Sequence, residues 1–225
     1  MWSRGKLGTL LIVCMVLLAA CSKEDAIKTL STMEDTVNTE NQMQEHLQQI
    51  ADLEGQDLEL YDLIMEQGKD ADAKLDDLLE DALKHVDDRK THLEAAKQIM
   101  DAAKVKSESW RSALDAYNKD AKEQEMYQKA DQLWNDYEAR QKTFAEFYEQ
   151  YSNSLAKDKE LYVLLEEQDE EISLTKLKNK VSERNKAFEK ANNLKQQFNN
   201  ETSVFNKEHE SFVAEMQQHL SKNKS

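Results

Sequence analysis

The chain has 225 residues, of which 33% are charged and 39% hydrophobic, and it carries a formal net charge of −15 with four glycines and no proline. So few turn-forming residues exclude a β-rich fold. The acidic excess argues against nucleic-acid binding, which needs a basic surface to neutralise phosphates. The moderate apolar content favours thin seams between long helices over a thick core.

The N-terminal segment has the features of a bacterial secretory signal that ends in a lipidation site. Arg4 and Lys6 precede an apolar run over 7–18, which ends in Leu18-Ala19-Ala20-Cys21, the form of a lipobox. About 12 apolar residues are fewer than the roughly 20 needed to cross a bilayer, so we expect removal of 1–20 and diacylation of Cys21. An uncleaved anchor helix is the alternative. Either interpretation places residues 21–225 outside the cytoplasm.

The first predicted helix covers about 24–66. Its apolar stripe starts at Ile27, fades over 38–41 and resumes from Leu47. Gly68 fits the position just past a helix end, where a left-handed conformation is needed, and this predicts a turn. The alternative is one helix that continues through Gly68, because the apolar phase is unbroken from Met65 to Leu75.

Three further helices are predicted, at about 70–118, 121–168 and 174–222. In each of them apolar residues alternate at spacings of three and four, the heptad pattern of helices that pack as in coiled coils. Asp120 followed by Glu123 resembles a capping box and indicates the start of the third helix. Polar residues occupy several seam positions, including Arg89, Asp158, Arg184, Lys195 and His209.

Four helices of similar length with short corners predict an all-α fold, a long antiparallel up-and-down four-helix bundle formed by residues 21–225 as one domain. In this arrangement the first and fourth helices are neighbours. The acidic first helix would then lie against the basic fourth helix, since residues 174–225 carry more basic than acidic side chains. The basic segment therefore either offsets repulsion within the bundle or forms a face for a partner.

Several stretches of the sequence resemble a family of Gram-positive lipoproteins, the YkyA-like cell-wall-binding lipoproteins. The matching residues are Leu53-Glu54, Leu60-Tyr61, Ile64, Gly68, Ala82, Arg89, Tyr148 with Tyr151, Lys159-Glu160-Leu161-Tyr162 and the stretch from Val181 to Asn185. The resemblance implies a long four-helix bundle tethered to the outer face of the membrane, with a wall-binding role. It supplies no catalytic residues.

Aromatic residues concentrate in the third helix and are the candidates for stacking on sugar rings. Most of them lie on the seam, where a core role is expected. Phe147, beside the seam residue Tyr148, is the position predicted to be exposed. Phe147, Tyr151 and Tyr162 are the candidate aromatics for a ligand-binding face.

Motifs for metal, cofactor or catalytic chemistry are lacking in the sequence. His85 and His92 are seven residues apart, but helical metal sites use closer pairs with facing ligands, so no metal site is expected. His209, on the seam, is expected to be a satisfied core residue. Acidic clusters such as Asp76-Asp77 are interpreted as solvated faces. Nucleophile arrangements and phosphate-binding glycine loops are missing, so we expect neither an enzyme nor a bound cofactor.

The expected function is that of a non-catalytic binding or spacer module, anchored by diacylglycerol on Cys21 at the outer face of the membrane, with cell-wall polymer as its partner. The alternative is an extracytoplasmic protein–protein scaffold or chaperone-like adaptor, whose partner is an exported or membrane protein. A solute or metal binder is a third hypothesis.

Overall fold

The computed structural model describes residues 24–67, 74–117, 124–166 and 174–222, and these residues form helices without any strand. The first segment is helical over 24–40 (α1), makes one 3-10 turn at Asn41–Met43 and continues as α2, Gln44–Gln67. Three long helices follow: α3 (Lys74–Tyr117), α4 (Gln124–Glu166) and α5 (Leu174–Lys222). Strong helix formers fill them, and no proline interrupts the backbone hydrogen bonds.

Neighbouring segments run antiparallel and pack against each other as a bundle. Along α2 and α3, His46 contacts His92 while Asp57 contacts His85, so the numbering rises on one helix as it falls on the other. The same reversal relates α3 to α4 and α4 to α5. Lys195 of α5 donates to Glu54 of α2 at 2.7 Å, which makes the fourth segment a neighbour of the first. The predicted all-α antiparallel bundle is confirmed.

The contact between α2 and α3 shows that these two helices are separate antiparallel elements. A straight helix would separate Asp57 from His85 by about 42 Å, at 1.5 Å per residue, whereas their side chains lie 3.1 Å apart. The turn predicted at Gly68, the capping box at Asp120 and the lipidation site at Cys21 lie outside the described residues.

The chain divides into two compact units, each with its own core. The tryptophan unit comprises Met1–Thr39, Ala102–Ala139 and Thr202–Ser225, and the ion-pair unit comprises Glu40–Asp101 and Arg140–Glu201. Helices α3, α4 and α5 each contribute residues to both units.

The core of the tryptophan unit is built from large rings. Trp110 is fully buried and makes edge contacts with Trp134 and Tyr137, with ring centroids 5.2 and 5.3 Å apart. The two tryptophans thus pack across the α3–α4 pair. Phe205 and Phe212 of α5 and Met33 of α1 complete this core. Such edge contacts add to the free energy gained from burying the rings.

The core of the ion-pair unit follows the predicted heptad seams. Buried seam residues of α3 include Leu79, Val86, Leu93 and Met100, and α4 and α5 add aromatic rings to the same core.

Among the described helices none is long and apolar enough to span a membrane.

Candidate functional site

A network of buried ion pairs connects all four segments of the ion-pair unit. Arg89 of α3 lies at its centre, where the guanidinium donates to Asp57 of α2 and, at 3.0 Å, to Asp158 of α4. Arg184 of α5 donates to the other oxygen of Asp158. His85 Nδ1 lies 3.1 Å from Asp57 and donates to it in the tautomer protonated at Nδ1. Each of the four segments thus supplies at least one member of the network.

Burial and the neighbouring charges shift the pKa values of several groups in this network. Burial raises the pKa of Asp57, and the charges of Arg89 and His85 offset this only in part. For Arg89, burial acts to lower the pKa, but the surrounding Tyr151, Asp57 and Asp158 raise it overall. The pKa of Arg184 is likewise raised by Asp158 against the effect of burial. The guanidiniums therefore stay charged and hold the carboxylates in place.

A second buried pair lies in the same unit. Arg140 of α4 donates to Glu40, at the end of α1, and both side chains are nearly inaccessible to solvent. Burial raises the pKa of Glu40, and Arg140 counteracts only part of that effect. The ion-pair unit thus contains two separate buried charge clusters.

A cleft of about 510 Å³ opens beside the network, between α2 and α5. Buried Arg89 and Tyr151 form its floor. The Lys195–Glu54 ion pair closes one end, and at the other end Arg184 stacks over the ring of Tyr61, 5.1 Å from its centroid. The remaining lining residues are Asp57, Leu58, Asn185, Phe188, Glu189, Ala191 and Asn192.

The cleft combines paired charges with carboxamides and rings. Its lining has three cationic and three acidic side chains, and each cation contacts a carboxylate. Asn185 and Asn192 are exposed on α5 and can both donate and accept hydrogen bonds. Phe188 offers a half-buried ring at the same wall. This chemistry suits a ligand that is uncharged or zwitterionic and rich in hydrogen-bonding groups.

A second, shallower depression of about 710 Å³ crosses the outer face of α4. It is lined by Lys97, Lys142, Ala145, Glu146, Tyr148, Glu149, Gln150, Lys190, Asn193 and Leu194. Tyr148 is half-buried, and the Lys97 ammonium lies 5.5 Å from the centroid of its ring. This depression is more open to solvent than the cleft, so it encloses a ligand less than the cleft does.

The three aromatics proposed for a ligand-binding face are all buried. The exposed fractions are 3% for Phe147, 1% for Tyr151 and 0% for Tyr162. The predicted exposure of Phe147 is therefore wrong. Its ring packs between Phe144 and Tyr151, because a helix in a four-helix bundle buries a wider stripe than the two-position seam of a coiled coil.

Only one of these aromatics borders the cleft. Tyr151 contributes to the floor, where burial and the charge of Glu54 raise the pKa of its hydroxyl. Tyr162 lies beside the ion network, near Asp57 and Asp158. The residues that sequence reasoning missed are Asn185, Phe188 and Asn192 of α5. The signal available for them was the polar seam residue Arg184 just before them.

The histidines are arranged differently from the pair considered in the sequence. His85 contacts Asp57, whereas His92 contacts His46. His209 stacks on Phe205, but it is only half-buried and its Nε2 has no hydrogen-bond partner among the described residues, so the prediction of a satisfied core histidine is wrong. Within the described ranges no group of three or more His, Cys, Asp or Glu side chains could hold a metal ion.

Comparison with known proteins agrees with this architecture. The YkyA family model, described as "Putative cell-wall binding lipoprotein", matches residues 24–215. The chain is 26% identical over 206 residues to the "Uncharacterized lipoprotein YkyA" of Bacillus subtilis (strain 168), covering 91% of this chain and 89% of that protein.

A solved structure shares the fold. A conserved protein of unknown function from Staphylococcus aureus superposes with a TM-score of 0.68 at 14% identity, over 85% of this chain and 93% of that chain. At that identity the likeness shows the fold alone. The family match covers residues 24–215, which include α1 to α4 and most of α5, and the chain belongs to the YkyA family of lipoproteins.

Proposed function

We propose that this protein is a lipid-anchored, non-catalytic binding module at the outer face of the cell membrane, and that it holds a segment of cell-wall polymer in the cleft between α2 and α5. The observation that carries the proposal is the composition of the cleft wall, where Asn185, Phe188 and Asn192 follow one another along a single helix. The anchor is diacylglycerol on Cys21, since two acyl chains give the stable attachment that a single chain does not.

The wall polymer supplies groups that match this surface. Its glycan and peptide parts carry acetamido and peptide amides, which pair with the carboxamides of Asn185 and Asn192, and sugar rings that contact the exposed part of Phe188. The lining of α5 from Arg184 to Lys195 spans about 16 Å at 1.5 Å per residue, which is enough for a few sugar or peptide units.

Charge limits how the protein approaches the wall. The chain carries −15, and anionic wall polymers repel it at long range. Because the cations of the cleft are already paired, binding there depends on hydrogen bonds and ring contacts. Salt screens charges beyond about 10 Å at 0.1 M ionic strength, so added salt weakens the repulsion and leaves the short-range contacts. Binding should therefore persist or strengthen as salt is raised.

The experiment is co-sedimentation of residues 22–225, without lipid, with purified cell wall across a salt series. Leu58→Trp fills the mouth of the cleft from an exposed position on α2, and Leu63→Trp makes the same change at an exposed position outside the cleft. We expect saturable binding that survives salt and that falls at least tenfold with Leu58→Trp but not with Leu63→Trp.

Two outcomes contradict the proposal in different ways. Equal binding by the two variants would exclude the cleft as the binding site. Absence of binding at every salt concentration would exclude the wall as the partner and favour the alternative, an adaptor for an exported or membrane protein, which crosslinking at the membrane would identify.

A further inference from the structure

The charges that line the cleft between α2 and α5 do not all have partners. Each cation of the lining contacts a carboxylate. Two of those carboxylates, Asp57 and Glu54, belong to the lining themselves, and the third, Asp158, lies outside it. Glu189 of α5 is the carboxylate of the lining that no cation holds, and its side chain makes no ion pair or hydrogen bond with a described residue. The cleft therefore presents one uncompensated negative charge.

Glu189 stands between two carboxamides on the same wall of the cleft. Asn185 lies four residues before it and Asn192 three residues after it, spacings that place neighbours about 5–6 Å apart between Cβ atoms on a helix surface. All three side chains are exposed, and neither carboxamide hydrogen-bonds a described residue. Since a carboxamide oxygen accepts hydrogen bonds as a carboxylate does, the wall presents a row of free acceptors.

We infer that this row of acceptors selects a ligand with a primary ammonium group, and that Glu189 is the residue that determines the selection. An ammonium has three N–H donors and no acceptor, so it can donate to the carboxylate and to a neighbouring carboxamide at once. The inference rests on the proposed function and sharpens it. Within the wall polymer, the ligand of the cleft is a short peptide whose diamino residue has a free side-chain amine.

The rest of the cleft suits the apolar stem of such a residue. Phe188, next to Glu189, is half-buried, and Leu58 of α2 lines the same cleft with 65% of its surface exposed. The methylenes of a lysine-like side chain cover apolar surface of this kind while the ammonium stays in water. The volume of about 510 Å³ lies in the range of small-ligand sites, about 300–1,000 Å³.

The existing ion pairs of the cleft stay intact in this arrangement. The ligand adds one ion pair at an exposed carboxylate, and a pair of that kind contributes modestly because water competes for both charges. The amine therefore adds selectivity to the hydrogen bonds and ring contacts, and binding still persists as salt is raised.

The test is calorimetric titration of the mature protein with two peptides that differ in one group. They are Nα-acetyl-Lys-D-Ala-D-Ala amide, with a free side-chain amine, and its Nε-acetylated counterpart. We expect the native protein to prefer the free amine by roughly twofold to fivefold, the size of effect that an exposed ion pair produces. The preference should disappear in Glu189→Gln and reverse in Glu189→Lys.

The matched control is Glu149→Gln, at an exposed position of α4 outside the cleft. It removes the same charge, so it weakens the long-range attraction of a cationic peptide equally, but it should keep the preference. Thermal unfolding checks that the variants fold, which we expect because both positions are exposed.

Equal affinity of the native protein for the two peptides, or a preference that survives in Glu189→Gln, would overturn the inference. So would a protein that co-sediments with cell wall but binds neither peptide at millimolar concentration. In that case the proposed function stands, with the glycan as the ligand. A protein that binds neither peptide nor wall would contradict both proposals.

Discussion

Over its described residues, the tryptophan unit encloses rings, aliphatic side chains and hydroxyls, whereas the ion-pair unit also encloses charges. The buried hydroxyls of the tryptophan unit, on Thr29, Thr36, Thr39 and Ser107, donate to carbonyls one turn earlier on their own helices. All five buried charged residues of the described chain belong to the ion-pair unit, and they are Glu40, Asp57, Arg89, Arg140 and Asp158.

The two kinds of core have different effects: apolar burial mainly stabilises the bundle, whereas buried ion pairs favour one alignment of its helices. Burial of Trp110, Phe205 and similar side chains stabilises a bundle in proportion to apolar area, and it tolerates small shifts between helices. Buried ion pairs contribute little net stability, because desolvation offsets their attraction. They do penalise misalignment, since sliding α3 by one heptad would separate Arg89 from Asp57 and Asp158 and leave buried charges unpaired. We therefore expect the buried ion pairs to fix the register of the four segments within the ion-pair unit.

The largest expected effect comes from removing the central cation. Arg89→Met leaves Asp57 buried without its guanidinium partner, and breaking a buried pair in this way costs about 3–5 kcal/mol. The matched change in the tryptophan unit is Arg111→Met, at a side chain 37% exposed and paired with Asp115 and Asp131, where about 1 kcal/mol or less is expected. Urea unfolding at pH 7 measures both free energies.

The pH dependence of the Arg89→Met variant provides its control. Without the guanidinium, burial keeps the pKa of Asp57 above its unfolded value, so protonation favours the folded state. The penalty should be full at neutral pH and should shrink as the pH falls towards about 4, where the unfolded carboxyl also binds its proton. Equal costs for Arg89→Met and Arg111→Met at pH 7 would refute the contrast between the units.

The sequence showed which of these residues lie on the helix seams, but it did not show which residues contact each other. The heptad pattern predicted buried apolar seams along the helices, and the burial of Leu79, Val86, Trp110 and Phe205 agrees with it. The same pattern placed Arg89, Asp158 and Arg184 on the seams. Periodicity shows which face of a helix a residue occupies, but not which residue lies opposite it on another helix, because the relative register of the helices depends on the whole packing.

The candidate site was less predictable for the same reason. The cleft is lined where Arg89 of α3 and Arg184 of α5 both stack on Phe188 of α5, and that arrangement depends on two separate helices. Asp57 lies seven residues from both Ile50 and Ile64 and is in phase with the seam, but the sequence did not identify its partner Arg89. The contact of His46 with His92 was not assigned either. Phe147 was misjudged because a two-position seam underestimates the stripe that a bundle buries.

An intermediate effect on stability is expected from His209, a titratable residue of the tryptophan unit. Burial lowers the pKa of His209, and the charges of Glu34 on α1 and Glu210 on α5 offset this only in part. The unfolded chain then binds the proton more readily, so stability is lost as the pH falls below about 6.5, the unperturbed histidine value. His209→Phe keeps a ring against Phe205 and should remove this part of the acid sensitivity.

The free energy of unfolding is measured at several pH values between about 7.5 and 5, which bracket the unperturbed pKa of histidine. His219→Gln changes a histidine of the same helix and serves as the control. If the native protein and His209→Phe lose stability in parallel as the pH falls, His209 is not the group responsible.

The smallest expected effect tests whether the two units unfold together. Gly55 is an exposed residue within α2 of the ion-pair unit, and a Cβ added there would meet no atom within 4 Å. Gly55→Ala should therefore stabilise the fold by about 0.5–1 kcal/mol, because alanine loses less conformational entropy in a helix. Ala102→Gly, at an exposed position of α3 in the tryptophan unit, should lower the stability by a similar amount.

Since α3, α4 and α5 continue without a break from one unit into the other, we expect one urea transition whose midpoint the two changes move in opposite directions. Two transitions, with Gly55→Ala shifting only one of them, would instead show that the ion-pair unit folds independently of the tryptophan core.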